Sequence, residues 1–280
     1  MGFASIDAMV KALTGGRKQE WSFVKDGGAT NETPEAAGNW VSYYLATGSP
    51  GAATAPTTSW ASFDNGAGSM VFTDVASNKR YLYGVEACAT VAGTLLIYDR
   101  LGHRQTASNA LASTGDKTIG ASLPSRYSGA DAEDLHNIEA WIELTVATNT
   151  TAPIISMNSY TNSAGTSSRA GGSLTFPATA TNVGWASPLP LQAGDKGVQA
   201  ISTINVATGA ASTGTANVFL MRPIARIPIP VANIATVITV RDGLVPRRIY
   251  DDSSLCFLYF ATSTTVVDFH GTITTVYDGG

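Results

Sequence analysis

The stretch Ile138-Glu139-Ala140-Trp141-Ile142-Glu143-Leu144-Thr145-Val146 decides the fold class, because its aliphatic side chains recur at every second position. Ile138, Ala140, Ile142, Leu144 and Val146 line one side of an extended chain, and Glu139, Trp141, Glu143 and Thr145 line a wetter one. No helical period fits them. The pattern breaks at 147–153, resumes from Ile154 to Tyr160, turns at 161–165 and returns from Ser173 to Phe176. Antiparallel neighbours need only such short links, so residues 138–176 are expected to form a three-stranded meander.

Outward from this segment the same signals recur. Upstream, Ser69 to Thr73, Arg80 to Ala89 and Gly93 to Asp99 read as strands, with Asp64-Asn65-Gly66 and Ser77-Asn78 as turns. Between Leu101 and Asp134 the pattern dissolves into Gly, Ser, Thr and Ala, which reads as a long excursion used for contact. Downstream, Gly197 to Val206, Asn217 to Met221, Ala232 to Val240, Ser254 to Ala261 and Thr265 to Tyr277 are further strands. In Ile224 to Pro230 the prolines Pro228 and Pro230 cannot donate to a ladder, so this piece is an edge strand or an extended arm. Short strands with turns between them and no intervening helices predict an all-β fold, an antiparallel, jelly-roll-like β-sandwich. No fixed-period repeat favours a propeller or solenoid.

The N-terminal part reads differently. Ser5 is a helix cap, and Ile6, Met9, Val10 and Leu13 follow at helical spacing before Gly15-Gly16 ends the pattern. So short a helix is marginal alone, and its stripe must dock on its own domain or on a neighbouring subunit. Residues 17–61 mix charges, loop signals and the aromatic anchors Trp21, Phe23, Trp40, Tyr43, Tyr44 and Trp60, and Ala36 to Leu45 fits a second short helix. The Gly/Pro-rich run Gly48 to Pro56 marks a boundary between an arm, 1–55, and a β-body, 56–280, expected to fold without it.

Composition narrows the function classes. Of the 280 residues, 14% are charged, against about 25% in ordinary globular chains, which points to surfaces covered in an assembly. Sheet edges then lack the charges that block strand pairing, so homo-oligomerisation is expected, with a trimer favoured. A net charge of −4 gives no field for nucleic acid. No apolar run is long enough to span a membrane as a helix, and a long signal-peptide core is lacking at the N-terminus. Arg222 with Arg226, and Arg241 with Arg247 and Arg248, form local basic clusters that suit either internal pairing or a partner's carboxylates. Cys88 and Cys256 sit in apolar, strand-like runs as small hydrophobes, although a disulfide between them remains open.

Chemistry-bearing patterns are absent. His103, His136 and His270 lie apart without metal-type spacing, and no Gly-x-Ser-x-Gly elbow or phosphate-binding loop occurs. Glu139 and Glu143 share a strand face but stand roughly 13 Å apart along it, too far for a retaining glycosidase pair. Neither catalytic residue nor cofactor nor metal is therefore assigned. Asn31-Glu32-Thr33 and Asn149-Thr150-Thr151 match the glycosylation pattern by chance in a Thr-rich chain.

Two segments, Phe3-Ala4-Ser5-Ile6-Asp7-Ala8-Met9-Val10-Lys11-Ala12-Leu13-Thr14-Gly15-Gly16 with Trp21, and Ser159-Tyr160-Thr161-Asn162-Ser163-Ala164-Gly165-Thr166-Ser167-Ser168-Arg169, resemble parts of virion structural proteins of tailed bacteriophages. The resemblance implies a capsid-associated protein of the minor-capsid, decoration or cement type, located in the virion, with the major capsid protein or other virion proteins as partners. Ile6, Met9, Val10, Leu13, Trp21, Trp40, Pro228 and Pro230 are the expected subunit-contact residues. The alternative is a tail- or fibre-associated carbohydrate-binding module, for which Trp60, Trp141 and Trp185 would be the sugar-stacking candidates.

Overall fold

A computed structural model describes residues 3, 5–28, 37–64, 66–72, 78–128, 130, 132–148, 151–177, 183–210 and 213–279. Asn31 and Asn149, the chance matches to the glycosylation pattern, lie outside the described residues. Helix α1 (Ile6–Thr14) leads into strands β1 (Lys18–Asp26), β2 (Trp40–Ser42), β3 (Thr47–Ser49), β4 (Ala61–Ser62) and β5 (Met70–Val71). Two long strands follow, β6 (Arg80–Ala89) and β7 (Gly93–Gln105), then β8 (Gly115–Ser122), the short helix α2 (Ala132–His136) and β9 (Glu139–Val146). The chain continues through β10 (Ile154–Asn162), β11 (Ser173–Thr175), β12 (Trp185–Pro188), β13 (Val198–Thr208) and the long β14 (Thr215–Ile229). It ends with β15 (Thr236–Thr239), β16 (Arg248–Ile249), β17 (Ser254–Ala261) and β18 (Phe269–Tyr277).

All pairings are antiparallel, so the all-β class holds. One set of strands closes on itself. β7 pairs with β14, β14 with β9, β9 with β12, β12 with β2 and β2 with β17, and β17 pairs back to β7, giving a six-stranded barrel. Closure removes the free edges that an open sheet would expose. A second sheet, in the order β15-β6-β18-β1-β3 with β16 also on β6, covers one part of the barrel wall. A third, β11-β10-β13-β8, covers another.

Alternation explains how one wall serves three cores. Leu95 and Ile97 of β7, with Ile227 and Ile229 of β14 and Leu255 and Phe257 of β17, pack outward on Phe23, Leu82, Val85, Phe269 and Ile273. Ile138, Ala140, Ile142 and Leu144, with Val218 and Leu220, pack outward on Ile119, Ile155, Met157, Ile201 and Ile204. The intervening residues Leu96, Tyr98, Trp141, Phe219, Met221, Cys256 and Leu258 fill the barrel, as side chains must in so narrow a barrel.

This geometry corrects the reading of residues 138–176. β9 does not pair with β10; it belongs to the barrel, whereas β10 lies between β11 and β13. β9 and β10 therefore lie in different layers, and their apolar faces bury each other. The supposedly wetter face of β9 points into the barrel, where Trp141 is 1% exposed and Glu143 3%. Glu143 tolerates this because Arg100 Nη2 donates to it at 2.6 Å and Asn217 Nδ2 at 3.0 Å. The Arg100 guanidinium lies over the rings of Tyr44, at 4.0 Å, and Phe219, at 4.2 Å.

Other expectations shift for equally local reasons. The described part of 36–45 holds an extended strand, β2, instead of a helix, because residues 40–42 fill the gap between β12 and β17. The 101–134 excursion contains the end of β7 and all of β8, whose Ile119 and Ala121 alternate into the core. Asn217–Met221 and Ile224–Ile229 fall in one strand, β14, which runs through Pro223 with a register shift beside it and ends before Pro230. The strands β1, β2 and β3 are woven into both larger sheets: β1 pairs along β18 and with β3, and β2 completes the barrel. The packing thus has no division at residue 55.

The Arg100–Glu143 pair gives a direct test. Arg100→Met or Glu143→Leu alone leaves one buried charge without its counter-ion and is expected to cost about 3–5 kcal/mol. The double variant should recover most of that loss. Urea unfolding of the four proteins reads the coupling; additive losses would remove the pair from the account of the fold.

Candidate functional site

The helix stripe shows what is left for a partner. Ser5 Oγ accepts from the Ala8 amide at 3.2 Å, which satisfies one of the free donors of the first turn. Met9 and Ala12 are buried against Tyr83, Val240 and Val276, with Val10 and Leu13 partly buried on the same cluster. Phe3 meets the Tyr81 ring edge-on at 5.5 Å. α1 is therefore docked on its own body, and of the four stripe residues Ile6 alone is exposed, at 49%.

The other expected contact residues divide similarly. Trp21 packs on Phe72 at 4.2 Å with the Arg80 guanidinium 5.4 Å from its ring. Trp40 closes one mouth of the barrel, against Trp141 and Phe260, beneath the guanidinium of Arg226. Pro228 and Pro230 are exposed. Pro228 lies in the half of β14 that pairs with β7 alone, because β9 ends its pairing at Glu139 opposite Met221. There the missing N–H faces no lost ladder bond, and the ring hinders a further strand from adding.

A different apolar surface was not singled out by sequence reasoning. Val231, Ile234 and Val237 are each more than half exposed, and they flank or belong to β15, the terminal strand of its sheet. A signal for it exists: Ile227 to Val240 contains no charged residue, although edge strands usually carry charges that discourage pairing. Val245, just beyond the turn after β15, is exposed as well. β15 thus presents an apolar edge without the usual guard.

Several interior polar groups are paired with one another. His103 is wedged between the Tyr44 and Phe63 rings and accepts from Arg100 Nε at 3.1 Å. Burial, aided by the Arg100 charge, pushes its pKa down to about 3, so it stays neutral. Burial also pushes the Cys256 thiol up to about 12; Cys88 and Cys256 are both free thiols. Asp99 accepts from Arg126 Nη2, Tyr127 Oη, Ser253 Oγ and the Ser254 amide, which fills its acceptor sites. Glu139 accepts from Trp141 Nε1 at 2.7 Å. Among the described residues no group of three or more His, Cys, Asp and Glu side chains comes together as metal ligands would.

Of the aromatic candidates for sugar stacking, Trp141 and Trp185 are core residues and Trp60 is partly buried. Trp141 lies inside the barrel, Trp185 packs on Phe176 at 4.5 Å, and Trp60 lies over Gly102, where any side chain would collide with the indole. Trp141 and Trp185 offer no open ring face of the kind that carbohydrate recognition uses.

The Ser159–Arg169 segment is held by one carboxylate. Asp195 accepts from Arg169 Nε at 3.0 Å and Nη2 at 3.1 Å, from Tyr160 Oη and from Asn162 Nδ2 at 2.9 Å. These bonds, that of Arg169 foremost, lower its pKa from 3.8 to about 2. A depressed carboxylate stabilises the fold above its ordinary pKa and loses that contribution as pH falls through its folded value. The 160–169 turn is therefore expected to loosen on acidification from 3.8 towards about 2, read as faster exchange of the Thr166 amide. Asp195→Asn should abolish this pH dependence, and an unchanged profile would refute the assignment.

Removing residues 1–55 deletes β1 and β2 and uncovers both the barrel seam and the β18 edge. The truncated chain is expected to be insoluble or unfolded by circular dichroism, while a cooperative, native-like melt would restore the separate arm.

The chain matches no family model, and no curated protein matches it. Among solved structures, a chain from "Structure of infectious bursal disease virus Gx strain" aligns over 93% of this chain and 82% of that one, at 10% identity and a TM-score of 0.18. A similarity that low carries no argument about fold or function.

Proposed function

We propose that the chain is a virion structural protein of a tailed bacteriophage, a capsid-associated decoration or cement protein that stabilises the shell through contacts with the major capsid protein or other virion proteins. The observation that carries this reading is the unguarded apolar edge at Val231, Ile234 and Val237 on a body with few charges. Such an edge needs a cover, and a symmetric copy or a shell subunit supplies one. The sequence resemblance at 3–16 and 159–169 supports the virion setting. The sheets on either side of the barrel wall are read as a jelly-roll-like sandwich thickened by the closed barrel. The protein acts as a homotrimer in this reading, without catalysis, and Ile6, Pro228 and Pro230 add the exposed remainder of the contact set.

The adhesion alternative loses two of its three stacking candidates, Trp141 and Trp185, to burial. Ile234→Asp and Val237→Asp test the proposal, because exposed substitutions change folding stability by only about 0.5 kcal/mol. Both variants are expected to melt like the parent, yet to fall from trimer to monomer in solution mass measurements and to lose occupancy on particles. A parent chain that is monomeric in solution and on the particle, or variants that incorporate normally, would overturn it.

A further inference from the structure

Where the two flanking sheets meet the barrel, the wall changes character. Asp99 of β7 and Arg222 of β14 are paired residues, and each stands between neighbours that belong to different cores: Ile97 and Leu101 for Asp99, Leu220 and Ile224 for Arg222. Alternation aims both at the junction between the sheets, where apolar partners run out and polar ones collect. Asp99 is satisfied there by Arg126, Tyr127 and Ser253. Arg222 donates through Nη1 to the Arg248 carbonyl at 2.7 Å and through Nη2 to Asp134, which also accepts from Tyr250 Oη at 2.6 Å.

The positive charge at this junction exceeds what it meets. A hollow of about 170 Å³ is lined by Lys79, Arg222, Arg247 and Arg248, with Glu133 and Asp134 as its carboxylates. Asp134 is engaged by Arg222 and Tyr250, and Glu133 is largely exposed and 3.8 Å from Arg247. Among the described residues Lys79 and Arg248 have no carboxylate within ion-pair distance. Arg222 Nε and Arg248 Nε are buried donors without a hydrogen-bond partner, although the Arg222 side chain is only 1% exposed. Arg248 is pinned over the Tyr250 ring at 4.0 Å, which limits its escape to solvent. Buried guanidinium donors left open are costly and are ordinarily satisfied by an acceptor.

We propose that this hollow is a binding site for a tetrahedral oxyanion group, a phosphate or a sulfate. Cations drawn from the start of β6, from β14 and from β16 suit a ligand with acceptors on every side, and guanidinium forks match such oxygens. Tyr81 and Pro246 form the wall it shares with an apolar hollow over Ile6 and Met9, so an anionic group carrying an apolar portion fits the two together. The site does not depend on the virion reading.

The test uses the full chain, titrated with sodium sulfate or sodium phosphate against sodium chloride at equal ionic strength while Tm is followed. Sulfate or phosphate should raise Tm saturably and chloride should not. Lys79→Ala and Arg248→Gln should each weaken the apparent affinity about tenfold, the loss expected for one charge-assisted hydrogen bond. A rise matched by chloride, or one unchanged in the double variant, would overturn the site. Crystals grown in selenate give a check that does not depend on the variants folding: an anomalous peak between Lys79 and Arg248 supports the proposal, and its absence at saturating selenate refutes it.

Discussion

A guanidinium held inside a closed barrel is the constraint on which the rest of the structure depends. Arg100 sits on β7 and Glu143 on β9, with β14 between them, so their 2.6 Å contact reaches across an intervening strand. Asn217 of that strand donates to the same carboxylate at 3.0 Å. Three strands are thereby fixed in register, since a slip by one residue would turn a charge outward into an apolar core. Tyr44 supplies one of the ring faces over Arg100, and Ser42 hydrogen-bonds Glu143. The N-terminal segment cannot be a loose arm when its side chains complete the solvation of a buried ion.

Strand existence was legible in the sequence where one face is strongly apolar. Arg80–Ala89 and Ser254–Ala261 are strands over the expected residues, and the Ser5 cap and Gly15 end of α1 are as the spacing implies. Partnership was not legible. β9 and β10 are adjacent in sequence and face each other between layers without pairing, and period-2 alternation is the same in either arrangement. Burial of Trp141 and Glu143 was likewise hidden, because polarity marks a wet face unless a counter-ion far along the chain is known. Trp40–Ser42 reads as helix by local composition and becomes a strand through two neighbours at 185–186 and 258–260.

The contact residues show the same division. Amphipathic spacing identified the helix stripe correctly as a docking face, but it carries no information about what the face docks on; here the own body covers Met9 while Ile6 stays exposed. Pro228 stands where β14 has β7 as its one partner, in keeping with the missing donor, a property of the residue itself, while Pro230 lies just beyond the strand. The apolar β15 edge left a negative signal, a run without charge, which is read only when edges are asked how they are guarded.

One barrel wall serving two flanking sheets explains why charge collects where it does. Along β7 the outward positions pass from Ile97 through Asp99 to Leu101, and along β14 from Leu220 through Arg222 to Ile224. The middle position of each strand faces the gap between the two flanking sheets, where neither core supplies its full set of apolar neighbours. An apolar residue there would lack packing partners, whereas a charged one can reach sideways to loops, as Asp99 does to Tyr127 and Ser253 and Arg222 does to Asp134. Asp99 finds enough donors to be complete. Arg222 keeps its Nε open, and the cations gathered around it, Lys79 just before β6 and Arg247 and Arg248 at β16, leave the junction short of acceptors. The same architecture that joins the two cores thus leaves a deficit of negative charge at one end of their seam.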